Sequence, residues 1–400
     1  MRLFYNLFVF VYQWSVKTAA VFGNEKAKKW VLGRKTVFKE IKNKIGKDDK
    51  IIWVHCASLG EFEQGRPLIE AIRKRYKNYK ILLTFFSPSG YEIRKDYTQA
   101  DYVFYLPMDA PRNARKFVRL VQPRAVFFIK YEFWFNYINE LYVRTIPLFI
   151  VSTIFRPSQH FFKFWGSWFK KQLRKVTFLF VQDEQSMELL ESIKIYHAEM
   201  IGDTRFDRVM ALSDEKKDFP IIEAFADKKP LLIAGSTWPA DEDKLLELIE
   251  KSNTPFKIIL APHQVDKEHM DQLTKKFNKF KPVRYSSASD SDLKNSRVLI
   301  IDGIGYLSYL YTYADLTYIG GGFGAGIHNL LEAATYGKPV IFGPNHDKFK
   351  EAIELKKNGG GVAISGTNDL ILTCELLFSD PVKRTESGNA AKNYVLKNAG

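Results

Sequence analysis

The apolar run Asp315-Leu-Thr-Tyr-Ile319 passes directly into Gly320-Gly-Gly-Phe-Gly-Ala-Gly-Ile-His-Asn-Leu-Leu-Glu332. A strand that ends in a glycine cluster and then opens a helix sets backbone N–H groups and the positive helix end where a phosphate can sit. Glycine suits such a loop because backbone and anion must approach closely. Asn329 and Glu332, three apart on one face of the predicted helix, reach a nucleotide's sugar hydroxyls or base. The stretch therefore predicts a nucleotide-sugar site in an α/β domain. A glycine-rich turn without a ligand is the alternative that these residues alone leave open.

Similar apolar runs recur on both sides of it. Lys50–Val54, Lys80–Thr84, Tyr102–Tyr105, Ala125–Ile129, Pro147–Val151 and Phe178–Val181 form a first series, separated by helix-like stretches. Leu231–Ala234, Lys257–Leu260, Val298–Ile301, Leu316–Ile319 and Pro339–Phe342 form a second. Short buried strands alternating with helices predict parallel, doubly wound sheets. The polar stretch 213–229, with Pro220, reads as a linker between the two series. The expected organisation is a membrane-associating segment at 1–25, a Rossmann-like domain at 26–212, the linker, a second Rossmann-like domain at 230–380, and a C-terminal helix at 381–400 that packs back on the first domain. Two such domains facing across a cleft place ligands at the carboxyl ends of their strands.

Four hundred residues, 46% of them hydrophobic, suffice for two cores. Cys56 and Cys374 make neither a metal pattern nor a disulfide framework, as in a reducing compartment. A net charge of +15 demands an anionic partner, and its distribution narrows the choice. Residues 1–50 carry twelve Lys/Arg against four Asp/Glu, and residues 141–182 carry seven with no acid. Both stretches are rich in aromatic residues. The segment Leu3–Val16 is apolar and aromatic but shorter than the roughly 20 residues that span a bilayer, and a basic run follows it. It reads as an anchor or interfacial helix on an anionic membrane, with burial in the soluble core as the alternative. Phe161–Lys175 mixes large rings with cations, as at a headgroup boundary or in an amphipathic helix packed on the sheet.

Several strand-end loops carry chemistry. His55-Cys-Ala-Ser-Leu-Gly-Glu61 presents a carboxylate at a helix start, where it accepts a proton from a substrate hydroxyl or merely caps the helix. Ser236 and Thr237 follow Gly235 and offer hydroxyls to a phosphate or carboxylate, or cap the next helix. His263 is a phosphate donor or a structural histidine. Asp290-Ser-Asp292 lies in a Ser-rich patch and reads as a solvated loop, and no zinc-type spacing occurs.

Taken in order, these motifs resemble one family over most of the chain, the lipid A 3-deoxy-D-manno-octulosonic acid (Kdo) transferases. Ser58-Leu-Gly-Glu61 matches its S-x-G-E. Thr84-Phe-Phe-Ser-Pro-Ser-Gly90 looks like its T-x-T-G loop. Pro107-Met-Asp109, Glu132-Phe-Trp-Phe-Asn136, Gly202-Asp-Thr-Arg-Phe-Asp207, Gly235-Ser-Thr237 and His328-Asn-Leu-Leu-Glu332 follow the family's later motifs. The resemblance implies a GT-B glycosyltransferase that moves Kdo from CMP-Kdo to a lipid A precursor, with inversion and with no metal or other cofactor. It implies Glu61 as general base. Ser236, Thr237, His263, Gly321, Gly322, Gly326, His328, Asn329 and Glu332 would bind the donor, with glycine amides and a helix dipole meeting the developing phosphate charge. Ser58, Gly60, Ser89, Gly90, Glu132 and Arg156 would serve the acceptor. The implied place is the cytoplasmic face of the inner membrane, anchored by the N-terminal segment, and the basic aromatic stretches then meet lipid rather than nucleic acid.

The chain departs from the pattern at three points. Ala261-Pro-His263 keeps the histidine without the preceding arginine, which leaves Lys267 as a substitute cation. Lys130-Tyr-Glu132 keeps one of two acids, and Lys348 stands at an asparagine position. Two rival readings remain: a GT-B enzyme using a UDP- or GDP-sugar, and a non-catalytic basic protein that binds lipid or nucleic acid.

Overall fold

The apolar runs of the first half form one parallel sheet. Its strands are β1 (Ile51–Cys56), β2 (Lys80–Phe85), β3 (Tyr102–Tyr105), β4 (Ala125–Ile129), β5 (Leu148–Thr153), β6 (Phe178–Val181) and β7 (Ala198–Met200), in the order β3-β2-β1-β4-β5-β6-β7. The second half repeats the plan with β8 (Leu231–Thr237), β9 (Lys257–Pro262), β10 (Val283–Arg284), β11 (Val298–Ile300), β12 (Leu316–Ile319), β13 (Val340–Phe342) and β14 (Gly361–Ala363), in the order β10-β11-β9-β8-β12-β13-β14. The computed structural model describes residues 1–215 and 217–399, divided into two units, Met1–Arg208 and Val209–Ala399.

Period-two geometry explains why both faces of the first sheet are covered. Ile51, Trp53, Leu82, Val126, Phe128, Leu148 and Ile150 point into one apolar cluster. Their neighbours Ile52, Val54, Cys56, Ile81, Leu83, Phe85, Ile129 and Val151 point into another on the opposite face. Continuous apolar strands with helices on both sides are what a doubly wound sheet requires. In each sheet the strand order reverses once, between β1 and β4 and between β8 and β12, and crevices for ligands form at such reversals.

The N-terminal helix, Arg2–Val21, is two-sided. Tyr5, Val9 and Val16 pack with Trp30, Met108 and Phe86. The Tyr5 hydroxyl donates to the buried Asp109 at 2.5 Å. Leu3, Phe4, Leu7, Phe8, Phe10, Val11 and Trp14 face outward, all at least half exposed. No described helix is long and apolar enough to cross a membrane. Phe161–Lys175 is likewise divided: Phe161 and Leu173 are buried, Trp168 and Phe169 pack on Phe135, and Phe164 is fully exposed.

Within 213–229, Lys216 lies outside the described residues. Pro220–Ala226 forms a helix rather than extended linker, because Ile222 and Phe225 are buried and the Lys257 ammonium donates to the Phe225 carbonyl at 2.6 Å. The division of the chain falls earlier, inside the helix Thr204–Asp214. The C-terminal helix, Pro381–Asn398, packs on helices of the second unit, with Gly388 against the Gly337 carbonyl and Ala391 against Gly360. Asp290-Ser-Asp292 opens a short helix, Asp290–Asn295, with all three residues exposed.

Candidate active site

In the first unit, the reversal between β1 and β4 gathers the loops after both strands. Ser58 ends the loop after β1 and caps the helix Leu59–Arg75. Its N–H donates to Glu61 Oε2 at 3.1 Å, and its hydroxyl donates to the same oxygen. This capping box fixes the half-buried carboxylate in the first helical turn and leaves Oε1 unengaged by Ser58. Gly60 is exposed, and a Cβ there would make only an ordinary contact, with the Ser58 hydroxyl at 3.8 Å.

Gly90 has a different role from the one its motif suggests. A Cβ there would meet Phe85 at 2.3 Å and the Ser58 backbone at 3.0 Å, so glycine lets the helix Pro88–Arg94 press against the base-bearing turn. Ser89 is exposed and pairs with the Ser87 hydroxyl at 2.9 Å.

Behind the turn lies a buried polar chain. Trp53 donates to the Thr84 hydroxyl at 2.7 Å, and His55 Nδ1 meets that hydroxyl at 2.8 Å. His55 Nε2 lies 3.2 Å from Glu132 Oε2, which accepts from the Trp134 indole at 2.5 Å. Glu132 is 8% exposed, so its carboxylate is consumed by this support rather than presented to solvent. Arg156 is exposed, and burial raises the pKa of the nearby Tyr131 hydroxyl against the smaller downward pull of the Arg156 charge. Lys130, at the end of β4, takes a left-handed φ of 69°, a strain of the kind that collects at functional loops. Burial, with the charges of Glu61 and Glu132, pushes the Cys56 thiol far up, so this cysteine is inert.

In the second unit, Ser236 sits at the β8 reversal with φ 53°, at a break in register with β9. Thr237 turns inward: it is 1% exposed and its hydroxyl donates to the buried Glu242 at 3.3 Å, which removes it from direct ligand contact. The next residue, Trp238, begins an aromatic stack. Its ring lies 4.8 Å from that of His263, which lies 4.5 Å from that of His328. The Trp238 indole also donates to His328 Nε2 at 2.9 Å. An indole can only donate, so neutral His328 carries its proton on Nδ1. Burial first and His263 second pull the His328 pKa down, which favours that neutral form.

The glycine cluster is a turn rather than a helix start. The helix that follows, Leu331–Ala334, is a single turn beginning beyond Asn329. The Gly320 amide bonds Gly235, the Gly321 amide bonds Asp241, and those of Gly324 and Gly326 both bond the Gly321 carbonyl. The His328 amide bonds Gly320. The amides of Gly320, Gly321, Gly324, Gly326 and His328 are thus engaged within the unit, and no helix of more than one turn stands behind the glycines to add its dipole. The glycines serve close approach: a Cβ on Gly320 would meet the Ser236 carbonyl at 2.4 Å, and one on Gly322 would meet Gly343 at 2.6 Å. Gly321 and Gly326 hold φ of 91° and 137°. Asn329 donates to Glu332 at 3.0 Å, so these two act as a pair at the mouth of the turn. A cavity of about 280 Å³ beside the turn is lined by Gly324, Ala325, Asn345 and Lys348 among others.

Residues 32–208 match the family described as 3-deoxy-D-manno-octulosonic-acid transferase (kdotransferase). The 3-deoxy-D-manno-octulosonic acid transferase of Aquifex aeolicus is 27% identical over 360 residues, 86% of this chain and 92% of that protein. That of Haemophilus influenzae is 26% identical over 363 residues, 87% and 84% of the two chains. Over most of its length the chain is similar in sequence to the Kdo transferases.

It is a glycosyltransferase, and Kdo transfer is the family's reaction. Among solved structures, UDP-GlcNAc 2-epimerase from Neisseria meningitidis superimposes with a TM-score of 0.61 at 18% identity, covering 88% of this chain and 97% of that one. A glycosyltransferase from Rickettsia africae gives 0.55 at 12%, covering 88% and 95%. At such identities the likeness concerns the fold alone, which is GT-B.

In this chain the motif residues Ser58, Glu61, Glu132, Gly235, Ser236, His328, Asn329 and Glu332 all stand at the two strand-order reversals. Sequence reasoning missed Trp238 and Asp241. Asp241 is buried and accepts from the Trp238 amide, the Gly321 amide and the Tyr318 hydroxyl, tying helix, turn and strand together. Its signal was present as an acid three residues past Trp238, the spacing of a capping box. Among the described residues no cluster of three His, Cys, Asp or Glu side chains could hold a metal ion.

Proposed function

We propose that the chain transfers Kdo from CMP-Kdo to a hydroxyl of a lipid A precursor with inversion, using Glu61 as general base and no metal. The carrying observation is the Glu61 carboxylate, fixed by Ser58 in a half-buried first helical turn at the β1–β4 reversal. Glu61 takes the acceptor hydroxyl proton as that oxygen attacks the anomeric carbon. The bond from this carbon to the phosphate oxygen breaks, and CMP leaves with the electron pair. A base held in place spares the reaction the cost of orienting it.

On the donor side, the His328 Nδ1–H, His263 and the Ser236 hydroxyl supply donors for the phosphate and the sugar carboxylate, in place of the glycine amides that the turn bonds internally. The Asn329–Glu332 pair suits the ribose hydroxyls. Trp238, through His328, positions rather than touches. On the acceptor side, the exposed cations of the first unit suit the precursor's phosphates, and Arg156 stands beside the base region.

The outward apolar face of the helix Arg2–Val21 supports attachment to the cytoplasmic face of the inner membrane, with the helix lying on the bilayer. Purified protein given detergent-dispersed lipid A precursor is expected to release CMP from CMP-Kdo only when both substrates are present. Preferential turnover of a UDP- or GDP-sugar would contradict the donor assignment.

A further inference from the structure

Resting on that reading, we propose that a cavity on the inner side of the N-terminal helix receives a fatty acyl chain of the glycolipid acceptor. The cavity has a volume of about 410 Å³ and lies within the first unit. Its walls are Val16 and Ala19 of the N-terminal helix, Trp30 of the next helix, and Phe86 and Pro88 of the turn after β2. Lys26 is exposed at its rim. A sugar or nucleotide needs several polar groups converging on it. Ser15, Asn24 and Ser87 also line it, but the Ser15 hydroxyl donates to the Val11 carbonyl, the Asn24 side chain accepts from the Ala27 amide and the Ser87 hydroxyl pairs with that of Ser89. A mainly apolar slot with a cation at its edge remains for a hydrocarbon chain carrying an anionic headgroup.

The walls are braced. The Arg34 guanidinium sits 4.0 Å from the Trp30 ring centre and 4.8 Å from that of Phe86. It donates to the Phe86 carbonyl at 2.6 Å and the Leu106 carbonyl at 2.9 Å. The cation and the edge-to-face contact of Trp30 with Phe86, ring centres 5.8 Å apart, fix both rings, so this wall of the slot is set before a ligand arrives.

The slot also adjoins the base. The Phe86 and Ser87 amides both donate to the Ala57 carbonyl, at 3.1 and 2.7 Å, one residue before Ser58. The Phe86 ring lies 4.7 Å from that of Trp134, which donates to Glu132. The same helix that supplies Val16 and Ala19 exposes Phe4, Phe8 and Trp14 on its other side, so a chain leaving the bilayer meets the slot across a single helix. Seating a chain there registers the disaccharide against Glu61.

Two measurements test this. Lauric acid carrying a diazirine at its methyl end, irradiated with the wild-type protein in micelles, is expected to label residues 12–30 and 86–88, with labelling displaced by lipid A precursor and not by its deacylated form. Labelling confined to the outward residues of Leu3–Trp14 would overturn the proposal. Filling the slot with Val16→Trp, or with the milder Ala19→Leu, is expected to raise KM for the acylated acceptor by about tenfold, as for the loss of one or two buried methylenes. KM for the deacylated acceptor and kcat stay unchanged. Equal effects on both acceptors, or none, would overturn it. Displaceable labelling in a protein that transfers no Kdo would remove the proposed function and leave the slot as a lipid site.

Discussion

His328 shows how much one neighbour decides. Burial alone would leave its neutral ring free to take either tautomer, and the Trp238 indole 2.9 Å from Nε2 selects the one with a donor at Nδ1. Trp238→Phe keeps a ring in the stack and removes that bond. KM for CMP-Kdo is expected to rise two- to tenfold, the equivalent of a net hydrogen bond of about 0.5–1.5 kcal/mol, with kcat nearly unchanged in steady-state assays. Asp109 is the second telling residue. Burial pushes its carboxyl up to about 6 from 3.8, although the Tyr5 hydroxyl and the Asn136 and Tyr137 amides all donate to it and pull the other way. A raised carboxyl pKa means that the folded chain binds the proton more readily than the unfolded one. Its stabilising share is complete below 3.8 and is lost as pH rises through 6. The stability difference between wild type and Asp109→Asn is expected to shrink by on the order of 3 kcal/mol across that window and to stay flat above it, as read from denaturant unfolding at each pH.

Among the elements, the glycine turn and its bracing loop carry the sharpest expectation. Gly320→Ala drives a Cβ into the Ser236 carbonyl and the Thr237 backbone, at 2.4 and 2.7 Å, which flexible side chains cannot relieve. It is expected to cost about 1–3 kcal/mol in chemical unfolding and to weaken CMP-Kdo binding. Gly324→Ala, whose Cβ would have ordinary clearance at 3.6 Å, is expected to do neither.

These elements also show what the sequence conveyed. All eleven apolar runs became strands, because parallel strands buried on both faces leave a continuous apolar signature. Strands β7, β10 and β14 were not anticipated: each has only two or three residues at a sheet edge, with most side chains partly exposed. The motif spacing located Glu61 and the turn at 320. It misjudged the helix after the turn, since Leu331–Ala334 is held by tertiary packing rather than by any periodic run. It also misjudged Thr237, whose hydroxyl is claimed by Glu242, a partner five residues away and invisible without the fold.

At the scale of the whole molecule, the proposed attachment to an anionic bilayer rests on the charge of +15 and the outward face of the N-terminal helix. Replacing Phe4 and Phe8, which are 72% and 67% exposed, with serine is expected to leave the fold intact. Co-sedimentation with phosphatidylglycerol vesicles is expected to fall by about tenfold or more, given roughly 25 cal/mol for each Å² of apolar surface no longer buried. Binding that survives both substitutions would assign attachment to another face. The central claim is Kdo transfer driven by Glu61, and mass-spectrometric detection of Kdo-bearing lipid A precursor tests it most directly. Wild type is expected to form this product, and Glu61→Gln to form it about a hundredfold more slowly or worse while still binding CMP-Kdo. Product formation by Glu61→Gln at the wild-type rate would contradict the account.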